Sequence, residues 1–157
     1  MKQFFTGFLE TPVGKLRVTT TEEAVTHVMF DERILGQTSP QPDVLKQAIK
    51  QLQEYFAGKR KVFDLPLAPE GTPFRQSVWD CLTQIDFGET RCYGDLAATL
   101  NNPKASRAVG AANGANPISI IIPCHRVIGK QGKLTGYAGG LSRKSWLLDF
   151  EGISFKP

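Results

Sequence analysis

The chain has 157 residues, 41% of them hydrophobic and 22% charged, enough to bury a substantial core without metal or disulfide staples. Three cysteines, an odd number, and a charged Met1-Lys2-Gln3 start with no signal-like apolar run point to a reducing cytoplasm rather than a secreted scaffold. No stretch approaches a membrane span and no repeat or low-complexity tract is visible, which argues against a membrane-spanning helix and a solenoid.

The first part of the chain reads as strands followed by one helix. Phe4 to Glu10 and Lys15 to Thr20 flank the turn cluster Thr11-Pro12-Val13-Gly14, and Val25 to Phe30 makes a third strand, which predicts a small antiparallel sheet. Leu45, Ala48, Ile49, Leu52, Tyr55 and Phe56 recur at helical spacing, with Asp43 placed as the cap and Gly58 as the stop. This helix is expected to cover one face of the sheet. His27 is a strand histidine without soft partners, since residues 1 to 80 contain no cysteine.

The segment Leu67-Ala68-Pro69-Glu70-Gly71-Thr72-Pro73 interrupts all periodicity and reads as a linker, so a domain boundary is placed near residue 70: 1–70 a structural lobe, 71–157 a second one. Thr72 can cap a helix that has Pro73 at its first position and Phe74, Val78, Leu82 and Ile85 as its apolar stripe. A short helix from Tyr93 to Leu100, a turn at Asn101-Asn102-Pro103-Lys104 and a second helix from about Ala105 to Asn113 suggest helix-turn-helix. The second helix is almost without bulk: Ala105, Ser106, Ala108, Gly110, Ala111, Ala112 and Gly114 allow close backbone approach, and Arg107 is its one large cation. Such a helix is suited to shape and phosphate rather than to reading base edges.

Charge is unevenly spread behind a net of +4. Residues 91–133 hold Arg91, Lys104, Arg107, Arg126, Lys130 and Lys133 against Asp95 alone, a bias that attracts polyanions. Inside this segment, Ile120-Ile121-Ile122-Pro123-Cys124-His125-Arg126-Val127 reads as a buried strand ending at a proline, with a thiol projecting from its rigid edge. The basic neighbours His125 and Arg126 are of the kind that lower a thiol pKa and supply the attacking thiolate. A buried structural cysteine is the plainer reading of Cys124 taken alone.

Together, Tyr93, Arg107, Asn116-Pro117, Pro123-Cys124-His125-Arg126-Val127-Ile128-Gly129, Gly136-Tyr137-Ala138-Gly139-Gly140 and Trp146-Leu147-Leu148 through Glu151-Gly152 closely resemble the O6-alkylguanine-DNA alkyltransferases. The resemblance covers residues 73 to 152 in order and with matching spacing; it is loose over 1–70, where that family has a variable, ribonuclease-H-like lobe. It implies an α+β protein with such a sheet-plus-helix lobe and a mostly helical C-terminal lobe. It also implies transfer of the alkyl group from O6 of a flipped-out guanine in double-stranded DNA to Cys124, with O4-alkylthymine as a second candidate substrate.

By the same resemblance, His125 is the base acting on Cys124 through a water, since adjacent residues of an extended chain point to opposite sides. Glu151 orients the imidazole, Asn116 holds the site together, and Tyr93 donates toward the guanine ring. Arg107, Tyr93, Gly94, Asn102, Ala105, Ser106, Gly110 and Lys130 would contact the minor groove, and Val127, Tyr137, Ala138 and Gly139 would line the base pocket. No cofactor is implied. Some relatives carry zinc on first-lobe cysteines that this chain lacks, so no metal is expected, and a monomer is expected. Two other classes remain compatible: a damage-recognition module without chemistry, against which Cys124 argues, and a Cys/His hydrolase or acyltransferase, which has no need of a basic helix pair.

Overall fold

The computed structural model describes residues 3–33, 36–38 and 40–157. The chain divides at Glu70/Gly71 into two compact units.

In the first unit, β1 (Phe5–Thr11), β2 (Gly14–Thr20) and β3 (Val25–Phe30) form an antiparallel sheet in that order. Leu9 lies opposite Leu16 and Val18 opposite Val28. Alternation sets the inward face: Phe5, Leu9, Leu16, Val18 and Val28 are buried against α1 (Asp43–Phe56), which contributes Leu45, Ala48, Leu52 and Tyr55. Gly7 lets α1 lie close to β1, because a Cβ there would come within 2.7 Å of Ile49 Cδ1 and the isoleucine would have to shift. Asp43 is not the cap expected from sequence. Pro42 holds that place, and Asp43 is the first helical residue, where its charge favours the helix N-terminus. Gly58, at φ 75°, lies just past the helix end in the left-handed region that glycine adopts freely. The buried Gln51 amide then brackets the main chain of Asp64 (2.9 and 3.1 Å), and Val25 pairs with Leu67 to extend the sheet edge.

The second unit is mostly helical. In α2 (Pro73–Leu82) the Thr72 hydroxyl accepts from the Arg75 N–H, and Val78, Trp79, Leu82 and Ile85 are buried. A two-residue strand β4 (Arg91–Cys92) leads into α3 (Tyr93–Thr99), and α4 (Ser106–Gly114) follows a turn in which Asn101 takes φ 57°. α4 packs on both α2 and α3, and the Trp79 indole N–H donates to Ala112 O at 2.8 Å. β5 (Val127–Ile128) pairs in parallel with β4, and α5 (Leu141–Phe150) closes the unit through Leu147 and Leu148. The protein is α+β.

The isoleucine run departs from expectation. Residues 118–122 form no strand but a tight turn, with Ile121 N bonded to Ser119 O (2.8 Å), Ile122 N to Ile118 O (3.0 Å) and Ile120 at φ 72°. The Asn116 side chain takes the backbone groups a neighbouring strand would have used. Its carbonyl accepts from Ile118 N (3.0 Å), while its amide donates to Ile118 O (3.3 Å) and Ile122 O (2.8 Å). A β-branched residue at positive φ is sterically costly and persists only where packing over-determines it; Ile120 is fully buried. The apolarity of this run therefore reports burial rather than pairing.

Candidate active site

Cys124, His125 and Arg126 form one 3-10 turn directly after Pro123. The turn is buried throughout: Cys124 is 3% exposed and His125 0%. The thiol is thus not on an open edge, and the expectation that successive residues point to opposite sides fails because the backbone is helical rather than extended. The turn is braced by the buried Asn113 of α4, whose amide donates to Cys124 O at 3.3 Å.

Glu151, at the C-terminal end of α5, collects the charges of this turn. Its Oε2 lies 2.7 Å from His125 Nε2 and 3.1 Å from Arg126 Nη2, and its Oε1 accepts from Arg126 Nε (2.7 Å) and the Gly88 N–H (3.2 Å). Arg126 also donates to Ile85 O at 2.7 Å and lies over the Phe87 ring. Arg126 therefore neutralises Glu151 and is not the activating neighbour of the thiol anticipated from sequence. A carboxylate at a helix C-terminus is disfavoured by the helix dipole, so the guanidinium partner is needed here. Burial alone would push the Glu151 carboxyl up, but the hydrogen bonds and charges of His125 and Arg126 outweigh it and hold its pKa at about 2.

Burial, helped by the charges of Arg126 and Lys144, lowers the His125 pKa against the upward pull of Glu151, leaving the imidazole neutral near pH 7. With Nε2 donating to Glu151, the lone pair resides on Nδ1, a buried atom without a hydrogen-bond partner. Burial likewise pushes the Cys124 thiol up, with the Asn116 amide and the Lys144 ammonium pulling the other way. This reverses the expected lowering: the resting group is a thiol, and a base must act on it when it reacts. Lys144, fully buried on α5, donates to Val127 O (2.5 Å), Thr135 Oγ1 (3.3 Å) and Gly136 O (3.4 Å). Its desolvation brings its pKa down to about 8.

Tyr93, at the start of α3, is carried to this region by the β4–β5 pairing, and its hydroxyl lies 2.9 Å from Thr135 Oγ1. Val127 is buried in β5, the Tyr137 hydroxyl is buried near Ser119, Gly139 is half-buried and Ala138 is exposed. On α4 the exposed face carries Arg107, Ala108, Ala111 and Gly114, while Val109, Ala112 and Asn113 point inward. Asn102 is exposed, Ala105 and Ser106 are half-buried at the start of α4, and the half-buried Gly110 leaves ordinary contact room to the Tyr93 ring, which a Cβ would meet at 3.7 Å. Gly94 is half-buried in α3, and Lys130 is exposed on a separate turn. Sequence reasoning missed Lys144, Asn113 and Thr135. Lys144 left a signal, a lysine three and four residues before Leu147 and Leu148 on the apolar face of its helix. Among the described residues, no group of three or more His, Cys, Asp or Glu side chains could hold a metal ion, and no helix is long and apolar enough to cross a membrane.

Comparison with known proteins places this geometry. The DNA-binding domain of 6-O-methylguanine DNA methyltransferase matches residues 73–153, and the ribonuclease-like domain of the same enzyme matches residues 4–69. The chain is thus built as a two-domain DNA alkyltransferase, and it belongs to the 6-O-methylguanine DNA methyltransferase family. The methylated-DNA–protein-cysteine methyltransferase of Methanosarcina acetivorans is 48% identical over 151 residues (93% of this chain, 97% of the relative). The constitutive enzyme of that name from Bacillus subtilis is 46% identical over 156 residues (94% of each). Among solved structures, O6-methylguanine methyltransferase from Mycobacterium tuberculosis aligns with TM-score 0.85 and 44% identity (95% of this chain, 93% of that one). OGT of the same organism in complex with DNA aligns with TM-score 0.83 and 46% identity (92% and 90%).

Proposed function

We propose that this protein repairs DNA by moving the alkyl group of O6-alkylguanine irreversibly onto Cys124, with residues 71–157 carrying DNA binding and chemistry and residues 1–70 acting structurally. O4-alkylthymine is a second candidate substrate. The observation that carries this reading is the buried Cys124, His125, Glu151 and Arg126 array, in which a neutral imidazole keeps an unpartnered Nδ1 one residue from a protonated thiol.

The chemistry follows from the protonation states. His125 Nδ1 takes the Cys124 proton, directly or through one water, and Glu151 stabilises the imidazolium that forms. The thiolate attacks the alkyl carbon; the S–C bond forms, the C–O6 bond breaks, and its electron pair passes to the purine. Tyr93 donates a hydrogen bond to the ring and eases departure of that anion. The product is a thioether, a poor leaving group that nothing in the site attacks, so each chain acts once. Incubating the protein with an O6-methylguanine oligonucleotide and weighing it intact tests this: one methyl per chain is expected, and turnover beyond one equivalent overturns the reading.

A base inside the stack is out of reach of a buried thiol, so the damaged nucleotide is extruded into the pocket lined by Val127, Tyr137, Ala138 and Gly139. The exposed small-residue face of α4 supports entry of its backbone into the minor groove, as the recognition element of a helix-turn-helix, and Arg107 supports filling the vacated stack. Gly94, Asn102, Ala105, Ser106, Gly110 and Lys130 complete the proposed contact set. Arg107→Ala is expected to slow repair of duplex DNA at least tenfold more than dealkylation of the free base, measured as second-order rates; equal losses would exclude the flipping role. A cytoplasmic monomer is the setting this reading expects, and the three cysteines, all free, suit a reducing compartment.

A further inference from the structure

The Lys144 ammonium has three donors and no acceptor, and its three contacts are Val127 O, Gly136 O and Thr135 Oγ1. In the last of these, Thr135 must therefore accept. A hydroxyl that accepts from a cation is polarised: its oxygen becomes a poorer acceptor and its O–H a better donor. Its neighbour at 2.9 Å is the Tyr93 hydroxyl. Of the two directions this contact allows, the ammonium favours Thr135 donating to the Tyr93 oxygen, which leaves the Tyr93 proton free to point elsewhere.

We propose that Thr135 is a positioning residue which, backed by Lys144, orients the Tyr93 hydroxyl so that its proton is presented to the flipped base. The inference rests on the proposed role of Tyr93 as donor to the substrate and specifies what makes it a donor. Without the Thr135 hydroxyl, Tyr93 turns its proton toward other acceptors and meets the base with the wrong partner. The same ammonium ties β5 to the 135–136 loop, so the chain Lys144, Thr135, Tyr93 links the proposed pocket wall to the start of α3.

Thr135→Val is close to isosteric and keeps the methyl that packs on Gly129, where a Cβ would come within 2.9 Å of Thr135 Cγ2. Its alkyl-transfer rate at saturating O6-methylguanine duplex is expected to fall about three- to tenfold, the scale of one hydrogen bond, with DNA affinity unchanged. Thr135→Ser, which keeps the hydroxyl, should recover most of that loss. In a Tyr93→Phe background, Thr135→Val should cost nothing further, because Thr135 acts only through the tyrosine. A wild-type rate for Thr135→Val while Tyr93→Phe is slow, a loss that persists in full in the Phe background, or a serine variant as slow as valine overturns the proposal. If Tyr93→Phe itself transfers at the wild-type rate, the donor role of Tyr93 fails and the orientation role falls with it.

Discussion

Cys124→Ser is expected to abolish alkyl transfer while changing DNA affinity by no more than about twofold, some 0.4 kcal/mol. The residue is 3% exposed and its backbone is held by the Asn113 amide at Cys124 O and, just upstream, by the Asn116 amide at Ile122 O, bonds that a serine leaves in place. A serine hydroxyl ionises far above neutral pH and its oxygen is a much poorer nucleophile than a thiolate toward an alkyl carbon. The proposed DNA contacts lie on α3, α4, the turn between them and the turn at Lys130, and none of them is made by the thiol. The check is intact mass after incubation with O6-methylguanine duplex, alongside a binding titration at fixed salt. Methylation of the serine variant would move the acceptor to Cys81 or Cys92, both half-buried.

Glu151→Gln is expected to be damaging twice. Its carboxylate pairs with the buried Arg126 guanidinium and with the His125 imidazole, so neutralising it strands the buried charge of Arg126. The Glu151 pKa falls from 4.5 to about 2 on folding, which corresponds to about 3 kcal/mol of stability. The folded pKa is the depressed one, so this contribution is complete above pH 4.5 and is lost as pH falls toward 2. Near pH 7 the variant should therefore melt about 10 °C lower, and its stability should fall less steeply than the wild type's between pH 4.5 and 2. Equal melting temperatures would mean that the pair contributes nothing.

Glu151→Gln should also slow transfer at neutral pH by about 10² or more, the usual scale of general-base assistance, because the imidazolium loses its counter-charge. Recovery at alkaline pH is expected, where the Cys124 thiol ionises without help. An unchanged pH-rate profile would show that His125 and Glu151 do not work together.

Much of the fold was legible in the order of residues. Period-two alternation marks β1 to β3, helical spacing marks α1, and Thr72-Pro73 marks the start of α2, because these signals record which face of a local element is buried. The candidate site is legible by resemblance, which points to Cys124, His125 and Glu151, and the structure brings His125 and Glu151 within 2.7 Å. The isoleucine run is not legible in this way, because three apolar β-branched residues look alike in a strand and in a buried turn. The side chain that decides between them, Asn116, acts through backbone groups that no pattern displays.

What the sequence by itself determined is the family, the candidate nucleophile and the secondary elements that local periodicity dictates. Tertiary structure alone decided the electrostatics. Burial together with Asn116 and Lys144 sets whether the thiol rests protonated, and a residue 25 or more positions away sets which imidazole nitrogen carries the lone pair and which cation neutralises Glu151. Burial depth and partner distance govern charge states, and both are properties of the folded chain, created when α5 and the Cys124 turn come together. The link from Lys144 through Thr135 to Tyr93 is of the same kind: three residues spread over some fifty positions, joined only by packing.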